Sequence, residues 1–476
     1  MDIASFVKNK KVTIMGLGLN GGGLASAQFF AEHGACVTVT DKKTKEELAT
    51  SIEKLKGYPN IRYVLGKHEI EDFTNADLVI KNPAVKREGN PFLNHAKKIE
   101  SDISIFCQYC TAPIIAVTGS KGKSSTVSAL HYGLCKAGYN AFLGGNITIS
   151  PLHFLSSITD STPVVLELSS WQLNDLKNCQ DFKPHISILT PIIPDHQNWY
   201  SSMQEYVNDK KIIYKNQDTS DITICDLKNN WNFEKETRAQ VSFYTDSKPK
   251  NYMYPQSPLV YFNEDGEGIL LIDSMEYLLL PRETNVLSFP LKQNLLNAGL
   301  ALYHYGVPIN DIGKILKDYP GLEHRLECFY KSGLCYFYND TTATVPEATI
   351  SALATFNDAR FTQPILITGG TDKALNFEQL GIEIKKAGAI FLLEGSATEL
   401  LIKELHKHSI SFFGPYPSLV QLLEMVKSFI TKKEVAFLNT QKIIPILFSP
   451  ASTSFGMFKN EFDRGNQFKK LVKDLF

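Results

Sequence analysis

Residues 112–126 read Ala-Pro-Ile-Ile-Ala-Val-Thr-Gly-Ser-Lys-Gly-Lys-Ser-Ser-Thr, and no other stretch restricts the possible folds as tightly. "APIIAV" is a short β-branched apolar run of the kind that forms buried parallel strands. Beyond the glycines, Val127, Leu130 and Leu134 recur at helical spacing, and Gly138 supplies a stop. A strand, a tight glycine turn and a helix start together aim backbone N–H groups and a helix dipole at an anion. Lys123 would add a point charge for terminal phosphates, and Ser124 a hydroxyl for Mg²⁺. The common GxxxxGK[ST] loop wants glycine at position 117, where Val117 stands. On these residues alone a phosphate cradle is favoured, with an ordinary strand-to-helix turn carrying a surface lysine as the competing reading.

The rest of the chain repeats the alternation. The first block opens with strand, turn, helix and strand over "KKVTIMGLGLNGGGLASAQFFAEHGACVTVTD", with Gly16, Gly18 and Gly21 in a GxGxxG turn and Asp41 closing the second strand. That arrangement suits a diphosphate at a helix N-terminus and a ribose hydroxyl on the acid; NAD or a UDP-sugar would fit equally. A third strand, "ADLVIKNPAV", breaks at Asn82-Pro83, an exposed loop able to touch ligand. The second block carries the phosphate loop and the strands "PVVLELSS" and "HISILTP". Residues 218–285 read as short strands and turns, an antiparallel flank. The third block has strands expected at "LCYFYND", "PILITGG", "AIFLLEG", "VAFLN" and "PILFSPAS", alternating with helices such as "TVPEATISALATF". The expectation is α/β with three domains: a Rossmann-like domain over 1–110, a P-loop ATPase-type α/β domain with a small antiparallel flank over 111–320, and a second Rossmann-like domain over 321–476.

Composition excludes several function classes. A net charge of −1 over 476 residues argues against a broad nucleic-acid surface. The start "MDIASFVKNKK" lacks an apolar signal core, and no apolar run approaches ~18 residues, so a cytoplasmic protein without a membrane segment is expected. Of eight cysteines only Cys107 and Cys110 have a metal-like spacing, and with no second pair they read as buried thiols.

Polar residues gather just after the strands, where open α/β sheets bind ligands. Glu167 is an acid inside an apolar strand and needs a cation, most simply the Mg²⁺ held by Ser124; a salt-bridged core acid is the alternative. Ser169, Ser170 and Gln172 follow it, and Asp195-His196 ends the next strand. Lys210 and Lys211 lie on a helix with Ile213 and Tyr214 at the spacing of a packed face. Taken alone, these lysines read as solvated.

In chain order the motifs "VTGSKGKSST", "GGN" (144–146), "ELSSWQL" (167–173), "PDH" (194–196), Tyr206-x-x-x-Lys210, "QNLLNA" (293–298), "HRLE" (324–327), "NDTTAT" (339–344), "GGTDK" (369–373) and "SPASTSF" (449–455) resemble the Mur ligase family, the ATP-dependent amino-acid ligases of peptidoglycan precursor synthesis. That family's shorter loop, TGTxGK[ST], lacks the glycine missing here. The branch resembled is the one that adds D-glutamate to UDP-N-acetylmuramoyl-L-alanine through an acyl phosphate, in cell-wall biogenesis. The resemblance implies ATP and two Mg²⁺ ions, the UDP-sugar and glutamate as substrates, a monomer, and a mobile C-terminal domain that closes over ATP. It places Gly119, Ser120, Gly122, Lys123, Ser124 and Ser125 around the ATP phosphates, with Asn294 and Asn297 facing adenine. Arg325 would reach an ATP phosphate and Asp340 the ribose. Ser124 and Glu167 would hold one Mg²⁺, and His196 and a carbamylated Lys210 the other. Leu19, Asn20, Asp41 and Asn82 would meet the UDP-sugar and Asn146 its muramoyl end, while Thr344, Lys373, Ser454 and Phe455 would surround glutamate.

The chain departs from the family pattern at Thr342, where a lysine near the reacting groups is usual, and at Thr148, Pro191 and Gln293. None of these removes Lys123, Glu167, His196 or Lys210, so an active enzyme is expected. The alternatives are a relative that adds L-glutamate or another amino acid, and an inactive nucleotide-sugar-binding paralogue. Folylpolyglutamate synthase shares the central domain, but the first block argues against it. A nicotinamide dehydrogenase would leave the phosphate loop without purpose.

Overall fold

A computed structural model of the chain describes residues 6–18, 21–147, 149–195, 199–373 and 375–476, with the backbone alone over 434–440. Leu19, Asn20, Thr148 and His196 lie outside the described residues. Three α/β sheets follow one another along the sequence. The first is wholly parallel and is built from β1 (Lys11–Met15), β2 (Cys36–Asp41), β3 (Ile61–Leu65), β4 (Leu78–Lys81) and β5 (Ile99–Glu100), in the order β3-β2-β1-β4-β5. Strand order reverses between β1 and β4, which opens a crevice at the glycine turn after β1. Helix Gly22–Glu32 can lie close on that turn because residue 23 is glycine: a Cβ there would sit 2.1 Å from the Gly16 carbonyl oxygen.

The second sheet runs through β6 (Ile114–Thr118), β7 (Phe142–Gly145), β8 (Val164–Glu167), β9 (Ile186–Leu189), β10 (Ile222–Asp226), β11 (Gln240–Tyr244), β12 (Leu259–Phe262), β13 (Gly268–Ile272) and β14 (Met275–Leu280). Its order is β14-β13-β12-β11-β10-β9-β6-β8-β7. The antiparallel reading of 218–285 holds only for β13 and β14. Strands β10, β11 and β12 continue the parallel sheet from β9. The joining segments 227–239 and 245–258 are each long enough for a parallel crossover, which takes about a dozen residues.

The third sheet contains β15 (Glu327–Ser332), β16 (Cys335–Asn339), β17 (Ile365–Thr368), β18 (Ala389–Leu393), β19 (Phe413–Tyr416) and β20 (Ile444–Phe448), in the order β15-β16-β20-β17-β18-β19. The strand expected at 435–439 is instead the last part of helix Leu419–Thr440. No glycine or proline separates Val435 from the helical pattern carried by buried Leu422, Leu423 and Val426, so the helix continues. The missing strand is β19, whose Gly414-Pro415 reads as a turn; a proline is tolerated there because β19 is an edge strand.

By compactness the chain forms two units: Met1–Arg282 with Gln293–Leu316, and Glu283–Lys292 with Lys317–Phe476. In the first unit the first two sheets share one apolar core, with Phe106 edge-on to Phe154 at 5.7 Å between centroids. In the second unit, cores cover both faces of the third sheet, one around Leu366 and Leu392, the other around Phe391 and Phe448.

A charged pair is buried inside the first unit. Lys81, the last residue of β4, meets Asp175 at 2.7 Å with both side chains under a tenth exposed. Burial raises the Asp175 carboxyl to about 6 against the pull of Lys81. Removing one partner of such a pair strands the other, at a cost of about 3–5 kcal/mol. Asp175→Ala should therefore lower the unfolding free energy of this unit by that amount, while Lys81→Met with Asp175→Leu should cost much less. A loss under ~1 kcal/mol for Asp175→Ala, read by urea unfolding, would contradict this account.

Candidate functional site

The turn after β6 is possible only with glycine at two positions. Gly119 has φ +147°, and a Cβ there would lie 1.9 Å from Thr190 Oγ1; Gly122 has φ +91° and caps helix Lys123–Lys136. A Cβ on Gly122 would lie 2.4 Å from Asn294 Oδ1, so the structure brings Asn294 against the loop. Asn297, one turn further along helix Phe289–His304, is fully enclosed and accepts from Gln293 Nε2 at 3.4 Å.

Two ammonium groups converge on one carbonyl. Lys123 Nζ donates to Gly119 O at 3.0 Å and Ser120 O at 3.2 Å, and Lys210 Nζ donates to Gly119 O at 2.9 Å. Far from being solvated, Lys210 is 1% exposed and lies 4.5 Å from the centroid of the Tyr206 ring. Burial, reinforced by the charge of Lys123, lowers its pKa to about 7, with Asp195 and Asp209 pulling the other way. Burial lowers Lys123 as well. The Tyr206 hydroxyl lies 3.0 Å from Ser120 Oγ, which also donates to Ile193 O at 2.9 Å, so the Tyr206-x-x-x-Lys210 turn braces the loop from two sides. Lys211 points elsewhere and pairs with Glu236 at 2.6 Å.

Glu167 ends β8 beside β7, paired in register with Gly145. Asn146 donates its backbone N–H to Glu167 O at 2.8 Å and its side-chain amide to Oε1 at 2.9 Å. Glu167 Oε2 is buried and has no hydrogen-bond partner among the described residues. A buried carboxylate oxygen left unsatisfied beside a phosphate loop fits a Mg²⁺ ion, which takes one or two protein carboxylates together with phosphate oxygens. Ser124 lies half-buried in the first turn of the adjoining helix. Among the described residues no group of three His, Cys, Asp or Glu side chains could hold a metal by itself. Burial raises the Cys107 and Cys110 thiols, the latter to about 11, which keeps them protonated and poor ligands.

In the first sheet, Asp41 accepts from the Gly18 amide at 3.1 Å and the Lys43 amide at 2.9 Å, pinning the glycine turn. Asn82 faces the same turn, since a Cβ on Gly16 would lie 3.2 Å from Asn82 Cβ. Gly16, Gly18, Asp41 and Asn82 are thus assembled as the sequence suggested.

The second unit carries the remaining residues. Asp340 accepts from Ser449 Oγ at 2.8 Å and the Leu326 amide at 3.0 Å, and it lines a cleft of about 610 Å³ together with Arg325 and Thr342. Lys373 Nζ donates to Thr344 Oγ1 at 3.4 Å. Thr371 Oγ1 donates to the Phe455 carbonyl, and the backbones of Thr371 and Thr453 are bridged, which lays "GGTDK" alongside "SPASTSF" with Ser454 buried and Phe455 exposed. Arg464, which the sequence reading passed over, lies beneath these loops. It is fully buried and donates to Thr341 Oγ1 (3.0 Å), Thr341 O (2.9 Å), Ser452 O (3.1 Å) and Thr453 O (3.0 Å). Burial lowers this guanidinium to about 10. Its place was legible in principle, because 464, 468 and 472 share the buried face of helix Glu461–Leu475.

Burial raises Asp340 to about 7, with its two hydrogen bonds and Arg325 opposing. A carboxyl raised on folding holds more protons folded than unfolded, so its contribution to stability falls as pH rises from about 4 to about 7. Asp340→Asn removes that titration. The melting temperature of the variant relative to the parent should climb between about pH 4 and about pH 7, an effect of up to ~4 kcal/mol at one pKa unit per ~1.4 kcal/mol. A pH-independent difference would mean that Asp340 is ionised throughout.

Residues 117–302 match the Mur ligase middle domain, and residues 10–105 match the Mur ligase MurD-like N-terminal domain. The chain is 38% identical to the UDP-N-acetylmuramoylalanine–D-glutamate ligase of Treponema pallidum, over 99% of both chains. It is 40% identical to the enzyme of that name from Borreliella afzelii, over 98% of both. Among solved structures, UDP-N-acetylmuramate-alanine ligase MurC of Thermotoga maritima has the same fold at 18% identity, with a TM-score of 0.55 over 98% of this chain and 100% of that one. MurF ligase of the same organism, solved with ADP, gives a TM-score of 0.51 at 14% identity over 99% and 97%. With a phosphate loop, an unsatisfied strand-end carboxylate and full-length relatives in agreement, the chain belongs to the Mur ligase family.

Proposed function

We propose that this chain joins D-glutamate to the alanyl carboxylate of UDP-N-acetylmuramoyl-L-alanine, with ATP as the energy source, in the cytoplasm. The observation that carries the reading is the Gly119 carbonyl gripped by Lys123 and Lys210 in the same unit as the half-satisfied Glu167. The relatives named above supply the substrate class.

A carboxylate is a poor acyl donor, so one of its oxygens first attacks the γ-phosphorus of ATP and ADP leaves. The glutamate amine then attacks the carbonyl carbon of the acyl phosphate. It loses a proton, the tetrahedral oxyanion collapses, and inorganic phosphate departs with the former carboxylate oxygen as the amide forms. The first step brings two anions together, so catalysis rests on positioning and charge. Exchanging the Gly119 and Ser120 carbonyls for phosphate oxygens would place the charge of Lys123 on the group being transferred. The amides around Gly119, Ser120, Gly122, Ser124 and Ser125 orient the phosphates at the helix N-terminus. Ser124 and Glu167 would hold one Mg²⁺ and His196 with Lys210 a second, and the ions would neutralise phosphate charge. An ammonium cannot be a metal ligand. Because burial leaves much of Lys210 neutral near pH 7, its amine can add CO₂ and release a proton to give an anionic carbamate. Arg325 would meet an ATP phosphate and Asp340 the ribose. Thr344, Lys373, Ser454 and Phe455 would receive glutamate, with Asp41 and Asn82 toward the UDP moiety and Asn146 toward the muramoyl end.

Phosphate release from ATP should require both UDP-N-acetylmuramoyl-L-alanine and D-glutamate; release with L-glutamate and not the D-isomer would overturn the choice of amino acid. Lys123→Ala should leave less than about a tenth of the parent rate in a folded protein, a loss of more than ~1.4 kcal/mol of transition-state stabilisation. A lysine–carboxylate hydrogen bond contributes ~1.5–3 kcal/mol, so Lys373→Ala should raise the KM for glutamate roughly ten- to a hundredfold and change that for ATP little. Parallel worsening of both constants would reduce Lys373 to a loop contact.

A further inference from the structure

Two residues flanking Arg325 occupy the left-handed backbone region that side chains disfavour, His324 at φ +65° and Leu326 at φ +47°. Such a backbone persists only where its surroundings fix it, and it marks places where a side chain must be presented in one way. Here the surroundings do fix it. The His324 amide donates to Glu327 Oε2 at 2.9 Å, and Asn339 Nδ2 donates to His324 Nδ1 at 2.9 Å. The Leu326 amide donates to Asp340 at 3.0 Å. The His324 carbonyl accepts twice from one residue: from the Thr342 amide at 3.2 Å and, more closely, from Thr342 Oγ1 at 2.8 Å. All this holds up a side chain that is itself exposed. No hydrogen bond or ion pair among the described residues uses the Arg325 guanidinium, and Arg325 is the one cation lining the 610 Å³ cleft.

We propose that Thr342 is a positioning residue for ATP. Its hydroxyl clamps the His324 carbonyl and so fixes the strained turn from which Arg325 reaches a nucleotide phosphate. The inference rests on the reading of Arg325 as a phosphate contact. Without the hydroxyl, the carbonyl keeps only its longer bond, the turn relaxes toward ordinary backbone angles, and the guanidinium loses its fixed direction.

The test compares Thr342→Val, Thr342→Ala and Thr342→Ser with Arg325→Ala and with Arg325→Ala/Thr342→Val in the full-length protein, by steady-state kinetics and thermal melting. Thr342→Val and Thr342→Ala should raise the KM for ATP about tenfold with a smaller change in kcat and none in the KM for glutamate. Thr342→Ser should stay within about threefold of the parent. Because Thr342 acts through Arg325, the double variant should be no worse than Arg325→Ala alone. Arg325→Ala with an unchanged KM for ATP would sink the phosphate reading of Arg325 itself. With that reading intact, the proposal is overturned by an unchanged KM in Thr342→Val, by a double variant that sums both losses, or by failure of both Val and Ala variants to fold.

Discussion

One carbonyl oxygen organises the chemistry of this chain. Gly119 O accepts from Lys123 and Lys210, which are far apart in sequence yet meet on the same atom, at 3.0 and 2.9 Å. Burial pushes both amines toward neutrality, and the charge of Lys123 adds to the shift of Lys210. Negative charge at this site would favour the protonated lysines. Under the proposed function polyphosphate would supply that charge to Lys123, and conversion to a carbamate would turn Lys210 from a rival cation into an anion.

Within each unit the fold places polar residues at the ends of parallel strands and stiffens them from behind. Gly119 follows β6, Glu167 ends β8, Asp41 ends β2 and Asn82 follows β4; Asp340 and Gly369 follow β16 and β17. The loops that carry them are held by side chains that touch no substrate in this account. Tyr206 braces Ser120, and Ser449 holds Asp340. Arg464 ties the Thr341 loop to the Ser452–Thr453 loop, spending a whole guanidinium on carbonyls and a hydroxyl, with no carboxylate partner among the described residues. Preorganisation of this kind is what an acyl phosphate requires, because the transferring group needs fixed charge rather than a reactive side chain.

The strand, glycine turn and helix around Gly119 and Gly122 were legible because they are local patterns, and so was the first βαβ unit with Asp41. Lys210 was legible only through the family resemblance: alone it reads as solvated, although Tyr206 and Lys210 lie one helical turn apart on a face that the structure buries. Arg464 was missed because an arginine in a charged helix suggests solvent, and only its spacing from Phe468 and Val472 says otherwise. The parallel course of β10 to β12 and the helical course of 435–439 depend on tertiary pairing and on an unbroken helix, which short apolar runs do not reveal. The clamp of Thr342 on His324 joins residues brought together by the antiparallel β15–β16 pair, so no local pattern could announce it.

The central claim is that ATP activates the substrate carboxylate by phosphorylating it. The direct measurement uses UDP-N-acetylmuramoyl-L-alanine labelled with ¹⁸O in both oxygens of the alanyl carboxylate, with ATP and D-glutamate, and reads the inorganic phosphate by mass spectrometry. An acyl phosphate carries one carboxylate oxygen into the phosphate that leaves, so each phosphate released should contain one ¹⁸O atom. Unlabelled phosphate, with both labels kept in the product or lost to water, would contradict the account.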